Sequence, residues 1–450
     1  MRIAYFSPLN PQKSGISDYS DVLVPALKNF CDIDLWVSGI KVESKTLKRY
    51  NIINYIKKPK YIKHLKDYDA IIYNIGNNPS YHAAIYDIFL KQPGFVILHD
   101  YVLFYLIAGY YFEYTLNKPG FIAELYYNYG LEGIDYAKDI LNNSESILRY
   151  KNPERYPLIK RLVENATGLI VHSEYTRKLI IQQGIPDSKV RKINHINFFN
   201  SDITPSSSHL KELRGRYGIA EGQILVASFG YIASTKRNRE IIKAISLINL
   251  HTKYKLKYLM VGEGGYVDDL LNDDIRKTGF IPLDEFERLL YCSDIVVNLR
   301  HPSMGETSGT LLRAISAGKP CIVTDDAWFS ELPDNVVIKI PYGANELRSL
   351  IKALILLAES DDNRMLLGKK AREYVLKYHD PSKISFELYQ FIQDASKQGC
   401  VLSERYKQLN DQRLREIGMI NEYSQLSKFY KKMNSDRIWD LGLKTKKKIK

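Results

Sequence analysis

The sequence predicts an α/β protein with two Rossmann-like domains in tandem, each built on a parallel sheet. Short apolar runs typical of buried strands alternate with longer segments of helical periodicity over residues 1–200, and the alternation starts again over residues 201–398. A segment rich in Ser and Asn lies near residues 197–215 and is typical of a linker. The chain of 450 residues is long enough for two such domains.

Each predicted strand is short, apolar and followed by a loop with polar residues or glycine. In the first half the predicted strands are Arg2–Ser7, Ile33–Val37, Ala70–Tyr73, Phe95–Leu98 and Gly168–Val171. In the second half they are Ile224–Ser228, Tyr258–Val261, Ile295–Asn298 and Cys321–Thr324. Ligands of open α/β sheets bind beyond the carboxyl ends of the strands, so the loops that follow these strands are the candidate sites.

The composition narrows the classes of function. The formal net charge of +13 favours an anionic partner, which can be a phosphorylated ligand, a nucleic acid or an anionic membrane. No run approaches the ~20 apolar residues of a membrane span, and the N-terminus lacks the apolar stretch of a signal peptide. We therefore expect a cytoplasmic protein. Neither a zinc site nor a disulfide framework is expected, because no CxxC pair occurs among Cys31, Cys292, Cys321 and Cys400.

The loops of the first half carry candidate polar residues. Gly15 precedes the first helical pattern, where backbone N–H groups can approach a phosphate. His99 and Asp100 directly follow a predicted strand, where titratable residues are poor core material. Amide side chains in the preceding loop suit sugar hydroxyls because they both donate and accept, although they are equally common in turns. The candidate acceptor-binding residues are Asn77, Asn78, His82 and Asp100.

Two loops of the second half carry stronger signals. Lys236 and Arg237 follow the strand-end Gly230, and such cations can neutralise a pyrophosphate. Glu306 lies in the loop after a predicted strand, where its carboxylate can accept hydrogen bonds from sugar hydroxyls. The helix that starts behind Glu306 presents backbone N–H groups that can hold an anion. A solvated basic loop and a helix-capping glutamate are the alternative interpretations.

The order of these motifs resembles the retaining glycosyltransferases of the GT-B fold, in the large family 4 of glycosyltransferase group 1. The motifs are GYIASTK, VGEGG, TGFIPLDEFERLLYCSDIVVNL, PSMGE and AISAGKPCIVTD, with the N-terminal glycine loop and the strand-end HD. The sequences YNIGNNPSYH, LHDYVLF and GETSGTLLRA are similar to a bacterial and archaeal branch that carries GETSG. The resemblance covers roughly residues 1–395 and is densest over 225–330.

The resemblance implies two Rossmann-like domains that face each other across a cleft. Residues 1–200 would form the acceptor side, and residues 201–398 the donor side, with the last helix returning to the N-terminal domain. Residues 399–450 are expected to form a basic helical extension, because apolar residues recur there at helical spacing.

The resemblance also implies roles for the matched positions. His99 would lie near the reacting sugar, Lys236 would hold the pyrophosphate, and Glu306 would contact the donor sugar, so these three are the candidate catalytic residues. Gly15 would lie against the donor phosphates. The candidate donor-binding residues are Gly15, Gly230, Lys236, Arg237, Gly262, Glu306, Thr307, Ser308, Gly309 and Arg313.

Two departures from the family pattern concern donor binding. Tyr231 replaces the arginine that usually follows the strand-end glycine, and Arg237 is a candidate to compensate for it. Arg313 and Ala314 occupy the region where a second glutamate usually grips the ribose, so the identity of the nucleotide stays open.

The predicted reaction moves a sugar from a nucleoside diphosphate of the UDP or GDP type to an acceptor hydroxyl, with retention of configuration. The nucleotide sugar is a co-substrate; no tightly bound cofactor and no metal are expected. The expected acceptor is a glycan or a lipid-linked molecule, and no nucleic acid is expected as a partner. The alternatives are a sugar-nucleotide epimerase or glycogen-synthase-like enzyme on the same fold, a nucleic-acid-binding protein, and a non-catalytic scaffold. The oligomeric state stays open.

Basic segments suggest contact with an anionic membrane surface. Residues 41–66 contain nine Lys or Arg and one acid, Glu43, with tyrosines between them. The aromatic stretch Phe104–Tyr114 and the five lysines of Lys444–Lys450 could support the same contact. A cytoplasmic protein that docks peripherally on the inner face of a membrane is therefore one expectation; a solvated helix face and a frayed terminus are the alternatives.

Overall fold

The computed structural model describes residues 1–142, 146–197, 199 and 205–397. These residues form two compact units. The first contains Met1–His172, Arg177–Ile193 and residues 386–397, and the second contains Ser173–Thr176 and Asn194–Ser385. The expected helical extension at 399–450, with Cys400, lies outside the described residues.

The first unit is built on a parallel sheet of seven strands in the order β3-β2-β1-β4-β5-β6-β7. Its strands are β1 Arg2–Phe6, β2 Asp32–Val37, β3 Asn51–Asn54, β4 Ala70–Ile75, β5 Phe95–Leu98, β6 Gly168–Val171 and β7 Val190–Lys192. The helices that accompany these strands are α1 Gly15–Leu27, α2 Pro79–Lys91, α3 Phe104–Gly109, α4 Lys118–Tyr129, α5 Glu132–Asn142, α6 Lys160–Asn165 and α7 Glu174–Gln182.

The second unit is built on a parallel sheet of six strands in the order β10-β9-β8-β11-β12-β13. Its strands are β8 Ile224–Phe229, β9 Leu256–Val261, β10 Ile275–Lys277, β11 Ile295–Asn298, β12 Cys321–Thr324 and β13 Ile338–Ile340. The remaining helices are α8 Ser207–Arg216, α9 Asn238–His251, α10 Leu283–Cys292, α11 Gly309–Ser316, α12 Ala327–Ser330, α13 Glu346–Glu359, α14 Asp361–Tyr378 and α15 Pro381–Lys397. Helix α15 starts in the second unit and continues in the first.

The central strands are apolar because both faces of each sheet are covered. All four residues of β5, β6, β11 and β12 are buried, as expected for a parallel sheet with helices on both sides. The predicted α/β class with two Rossmann-like sheets is therefore confirmed. Among the described residues, no helix is both long enough and apolar enough to cross a membrane.

The strand order creates one switch point in each sheet. In the first unit the chain moves from β1 to one side and later returns to add β4 on the other side; β8 and β11 are related in the same way in the second unit. A crevice forms where the loops after such strands diverge, and ligands of open α/β sheets bind there. The loops after β8 and β11 contain Lys236 and Glu306. The loop after β4 contains Asn77, and the loop after β1 leads to Gly15, the first residue of α1.

The structure also contains elements that the sequence pattern did not predict. Strands β3, β7, β10 and β13 lie at sheet edges. Because edge strands are covered less completely, their sequences NIIN, VRK, IRK and IKI are too short and too polar for the apolar signal.

The linker prediction for residues 197–215 is wrong over its C-terminal part, which forms α8. The side chain of Ser206 caps this helix by accepting a hydrogen bond from the backbone N–H of His209. Leu213 anchors it in the core of the second unit, where Leu210 and Tyr217 pack beside it.

Helix α14 approaches the turn after α11 so closely that only glycine fits at one position. A Cβ atom on Gly368 would lie 1.9 Å from the carbonyl oxygen of Gly318. Gly215 in α8 offers a contrast, because a Cβ atom there would meet nothing within 4 Å.

We predict that Gly368→Ala lowers the free energy of unfolding by about 1–3 kcal/mol, because the methyl group overpacks a backbone contact. The matched variant Gly215→Ala should raise it by up to about 1 kcal/mol, since alanine is the better helix former. Denaturant unfolding of both variants tests this expectation. Equal effects of the two substitutions would contradict it.

Candidate active site

The loops after β8 and β9 meet backbone to backbone. Gly230 has a φ of 94° and donates its N–H to the carbonyl oxygen of Val261 at 2.9 Å. A Cβ atom on Gly262 would lie 2.2 Å from the carbonyl oxygen of Gly230. Both predicted donor-binding glycines therefore have a structural role, because they let these two loops touch.

Lys236 folds back over the end of β8. Its Nζ donates to the carbonyl oxygen of Phe229 at 2.5 Å, and a Cβ atom on Gly230 would lie 2.6 Å from the same Nζ. Burial is the main cause that lowers the pKa of Lys236 to about 7; the charge of Arg300 also lowers it, and the charge of Glu306 opposes the shift. The positive charge of the ammonium group is therefore only partly offset by Glu306 in the folded protein.

Glu306 is held by its own loop. Its Oε2 accepts a hydrogen bond from the backbone N–H of Met304 at 2.7 Å and one from the Ser303 hydroxyl at 3.3 Å. Its Oε1 forms an ion pair with Nε of Arg300 at 2.9 Å, without the alignment of a hydrogen bond. These contacts fix the carboxylate beside a guanidinium group.

The loop after β11 is also attached to its neighbours. The backbone N–H of His301 donates to the carbonyl oxygen of Thr235 at 2.8 Å, directly before Lys236 in the chain. The His301 ring stacks on Tyr342 with centroids 3.4 Å apart. Lys236 and the loop that contains Arg300 and Glu306 are thereby held together.

Helix α11 begins at Gly309, three residues after Glu306. Ser308 caps it by accepting a hydrogen bond from the N–H of Leu311 at 3.2 Å, and its hydroxyl also accepts one from Asn298 at 2.9 Å. Thr310, in the first turn, would lie 3.7 Å from a Cβ atom on Gly230. The first N–H groups of a helix have no intrahelical acceptor and favour an anion. Thr307 and Ser308 lie in the predicted loop, Ser308 caps α11, and Gly309 is the first residue of the helix.

The cluster of Lys236, Arg300 and Glu306 has two cations for one carboxylate. Arg300 lowers the pKa of Lys236, which shows that the two positive charges repel each other. An anion that accepts hydrogen bonds from both cations would relieve this repulsion. The arrangement can therefore bind a diphosphate beside a carboxylate that accepts hydrogen bonds from hydroxyl groups.

The two arginines that were predicted to bind the donor form ion pairs with carboxylates outside the cluster. Arg237 donates to both carboxylate oxygens of Glu346, at 3.0 and 2.6 Å, and it also pairs with Glu240. Arg313 is buried and pairs with Glu287 at 2.6 Å. Both contacts favour structural roles over the predicted binding roles, because the carboxylates offset the charges that a donor would need.

In the first unit, His99 is part of a buried network. Its Nε2 lies 3.1 Å from Oδ1 of Asn74, and its ring meets Tyr19 edge to face. His82 is only 1% exposed, and its Nδ1 lies 3.1 Å from the carbonyl oxygen of Asn74. Burial lowers the pKa of His82 to about 4, so it is neutral near pH 7. His82 thus presents almost no surface in this structure, and its predicted contact with an acceptor stays a prediction.

The asparagines expected to bind an acceptor cap helices through their side-chain oxygens. Oδ1 of Asn77 accepts hydrogen bonds from the N–H groups of Tyr105 and Leu106, at the start of α3. Asn78 caps α2 through the N–H of Ser80. Oδ2 of Asp100 accepts from the N–H of Asn77 at 2.8 Å. Their side-chain oxygens thus position the loops after β4 and β5, as is common for Asn and Asp.

Gly15 is the first residue of α1, and Ser14 caps this helix. A Cβ atom on Gly15 would meet nothing within 4 Å, and its φ does not lie in the left-handed region. Neither backbone strain nor packing within the described residues accounts for a glycine there, so its predicted role toward a phosphate stays a prediction.

Sequence reasoning missed Arg300. This residue follows the last residue of β11 by two positions, inside the segment NLRHPSMGETSG that carried the strongest motif. The rule that ligands bind beyond strand ends could have selected it. Its proximity to both Lys236 and Glu306 could not be predicted from spacing alone.

Residues 211–374 match the family model described as glycosyl transferases group 1. The match lies in the second unit and includes every residue of the cluster. It supports the resemblance to group 1 glycosyltransferases.

One curated relative is the α-monoglucosyldiacylglycerol synthase of Streptococcus pneumoniae, which is 25% identical over 301 residues. The similarity covers 63% of this chain and 64% of that protein's length.

Solved structures with the same fold include HepE of Anabaena in complex with UDP-glucose, with a TM-score of 0.60 and 14% identity over 88% of this chain and 100% of that chain. Sucrose-phosphate synthase of Thermosynechococcus elongatus has a TM-score of 0.58 and 15% identity, over 88% of this chain and 98% of that chain. WaaG, a glycosyltransferase of lipopolysaccharide biosynthesis, has a TM-score of 0.53 and 15% identity, over 85% of this chain and 98% of that chain. These matches confirm the predicted GT-B type of fold.

We predict that Lys236→Met stabilises the protein without ligand by on the order of 1 kcal/mol at pH 7. Because the pKa of Lys236 is about 7 in the folded protein and 10.5 normally, the unfolded chain binds more protons between these values. Stability should therefore rise with pH across this window in the wild type, and less steeply in the variant. Thermal unfolding from pH 7 to 10 measures both slopes; identical slopes would refute the depressed pKa.

Proposed function

We propose that this protein is a glycosyltransferase that uses a nucleoside-diphosphate sugar, with the diphosphate held by Lys236 and Arg300. The observation that carries the proposal is the convergence of these two cations and Glu306 at the switch point between β8 and β11. The family match over 211–374 and the likeness to glycosyltransferase structures support the same class.

The chemistry that we propose for the cluster is electrostatic. Cleavage of the bond between sugar and phosphate builds negative charge on the leaving diphosphate, and Lys236, Arg300 and the first N–H groups of α11 stabilise this charge. Lys236 then exchanges the carbonyl oxygen of Phe229 for a phosphate oxygen. Glu306 accepts hydrogen bonds from hydroxyls of the donor sugar, as its resemblance to the family's first signature glutamate implies.

The finer parts of the proposal rest on the resemblance and on the relatives. We propose a uridine nucleotide as the first donor to test, because a structural neighbour binds UDP-glucose. Retention of configuration, independence of a metal and a role of His99 near the reacting sugar follow from the family resemblance. A glycolipid or polysaccharide acceptor is consistent with the names of the bacterial relatives.

Donor identity can be tested by thermal shift against UDP-, GDP- and ADP-sugars. We predict that one nucleotide class raises the melting temperature by mass action, and that Lys236→Met weakens its binding about 10- to 100-fold because charge-assisted hydrogen bonds are lost. Lys253→Met, which removes an exposed lysine of the same unit, is the control. An unchanged affinity of Lys236→Met, or the absence of any shift across the panel, would refute the proposal.

Donor binding should also depend on pH through Lys236. Only the charged amine binds the diphosphate, and its pKa of about 7 in the free protein means that the competent fraction falls as the pH rises. We predict that UDP-glucose binds about 25-fold more weakly at pH 8.5 than at pH 6.5. Isothermal titration calorimetry measures this dependence. The dependence should vanish in Lys236→Met, and a flat wild-type profile would rule out the role assigned to the amine.

A further inference from the structure

A cavity of about 270 Å³ lies in the first unit, whereas the candidate donor site belongs to the second. The residues that line it are Asp139, Tyr150, Lys151, Asn152 and Arg155. Its volume is near the lower end of the range for small-molecule pockets, which is about 300–1,000 Å³. The cavity therefore suits a ligand of about the size of one monosaccharide.

The charges of the lining favour an anionic ligand. Lys151 and Arg155 are exposed cations, and Asp139 supplies the carboxylate among these five residues. Positive charge is therefore in excess. The guanidinium group of an arginine can bind a carboxylate or a phosphate through two parallel hydrogen bonds, and a lysine adds a compact positive charge.

The same lining can bind hydroxyl groups. The side-chain amide of Asn152 both donates and accepts hydrogen bonds, and a carboxylate such as that of Asp139 can accept about four. The hydroxyls of Tyr150 and Tyr156 both donate to Oδ2 of Asp139 at 3.4 Å, which is long for a hydrogen bond between oxygens. Sugar hydroxyls that approach more closely can therefore compete for this carboxylate.

The wall around Tyr150 is fixed by packing. The carbonyl oxygen of Tyr150 accepts a hydrogen bond from the Tyr105 hydroxyl at 2.7 Å, and its ring packs on Phe104 with centroids 5.2 Å apart. One-turn 3₁₀ helices, Ile147–Arg149 and Pro153–Arg155, lie on either side of the lining segment. A ligand would meet a largely formed pocket, so little binding free energy would be lost in ordering it.

The pocket wall is also connected to the end of a strand. Asn77, in the loop after β4, accepts a hydrogen bond from the N–H of Tyr105 at 2.9 Å. The Tyr105 hydroxyl in turn reaches the backbone of Tyr150. Ligands of open α/β sheets bind beyond the carboxyl ends of the strands, and this pocket adjoins a loop at such an end.

We propose that this pocket binds an acidic sugar, in which a pyranose ring carries a carboxylate or a phosphate group. Lys151 and Arg155 bind the acidic group, while Asp139 and Asn152 bind ring hydroxyls. A nucleobase fits less well, because Tyr150 is only 5% exposed and offers little ring surface for stacking. The proposal does not depend on the proposed function.

Ligand-observed NMR titration of the full-length protein with methyl glucuronide tests the pocket. We expect saturable binding that is about 10-fold tighter than that of methyl glucoside, which lacks the acidic group. The double variant Lys151→Gln/Arg155→Gln should bind methyl glucuronide roughly 10- to 100-fold more weakly, because charge-assisted hydrogen bonds are lost. Both side chains are exposed, so the variant should fold normally.

A matched control separates the pocket from the local charge. Lys138→Gln/Arg149→Gln also removes one lysine and one arginine, both exposed and close to the lining residues in the sequence. It changes the net charge equally and should bind methyl glucuronide within about 3-fold of the wild type. Lys236→Met, in the donor cluster, should leave this binding unchanged.

Acetate tests whether the hydroxyls of the sugar are recognised. Acetate carries the carboxylate without the ring, so it should bind about 10-fold more weakly than methyl glucuronide. Asp139→Ala should reduce this difference while the protein keeps its melting temperature. In the Lys236→Met background, comparison of methyl glucuronide with glucose 6-phosphate then shows whether the pocket prefers a sugar acid or a phosphorylated sugar, and preference for either supports the proposal.

Three results would overturn the proposal. The first is the absence of saturable binding of either acidic sugar. The second is equal loss of binding in the pocket variant and its control, which would assign the binding to net charge. The third is equal affinity for acetate and methyl glucuronide, which would show an anion site without sugar recognition.

Discussion

The candidate site depends on holding two positive charges close together at the ends of β8 and β11. Lys236 and Arg300 repel each other, and Glu306 offsets them only in part. A folded protein tolerates such an arrangement when the surrounding loops fix it. The cluster is thereby ready for an anion before the anion arrives, which is the condition for electrostatic stabilisation of a leaving group.

The surrounding contacts show how the loops are fixed. Close backbone contact between Gly230 and Gly262 places the end of β8 against the loop after β9. The hydrogen bond from His301 to Thr235 joins the β11 loop to the β8 loop, and stacking on Tyr342 holds the His301 ring. Arg237, next to Lys236, also fixes the β8 loop. It pairs with Glu346 on α13, and its guanidinium lies 5.1 Å from the centre of the Tyr342 ring. Gly230, Gly262 and Arg237 thus contribute to the loop structure around the two cations.

Much of the fold could be predicted because buried parallel strands leave a strong apolar signal. Edge strands such as VRK and IRK leave none, and a short amphipathic helix such as α8 is hidden by a polar, serine-rich start. For the site, the position of Lys236 and Glu306 after strands predicted their loops correctly. The partner of each side chain could not be predicted, because an asparagine that caps α3 and one that binds a sugar have the same local sequence pattern. Arg300 was missed for the same reason: its importance comes from its neighbours in space.

A crystal structure of the protein with UDP-glucose bound tests the role of the two cations most directly. We predict the diphosphate at the ends of β8 and β11, with its oxygens within hydrogen-bond distance of Lys236 Nζ and the Arg300 guanidinium, and with Nζ released from the Phe229 carbonyl oxygen. A donor bound elsewhere, with Lys236 still donating to Phe229, would contradict it.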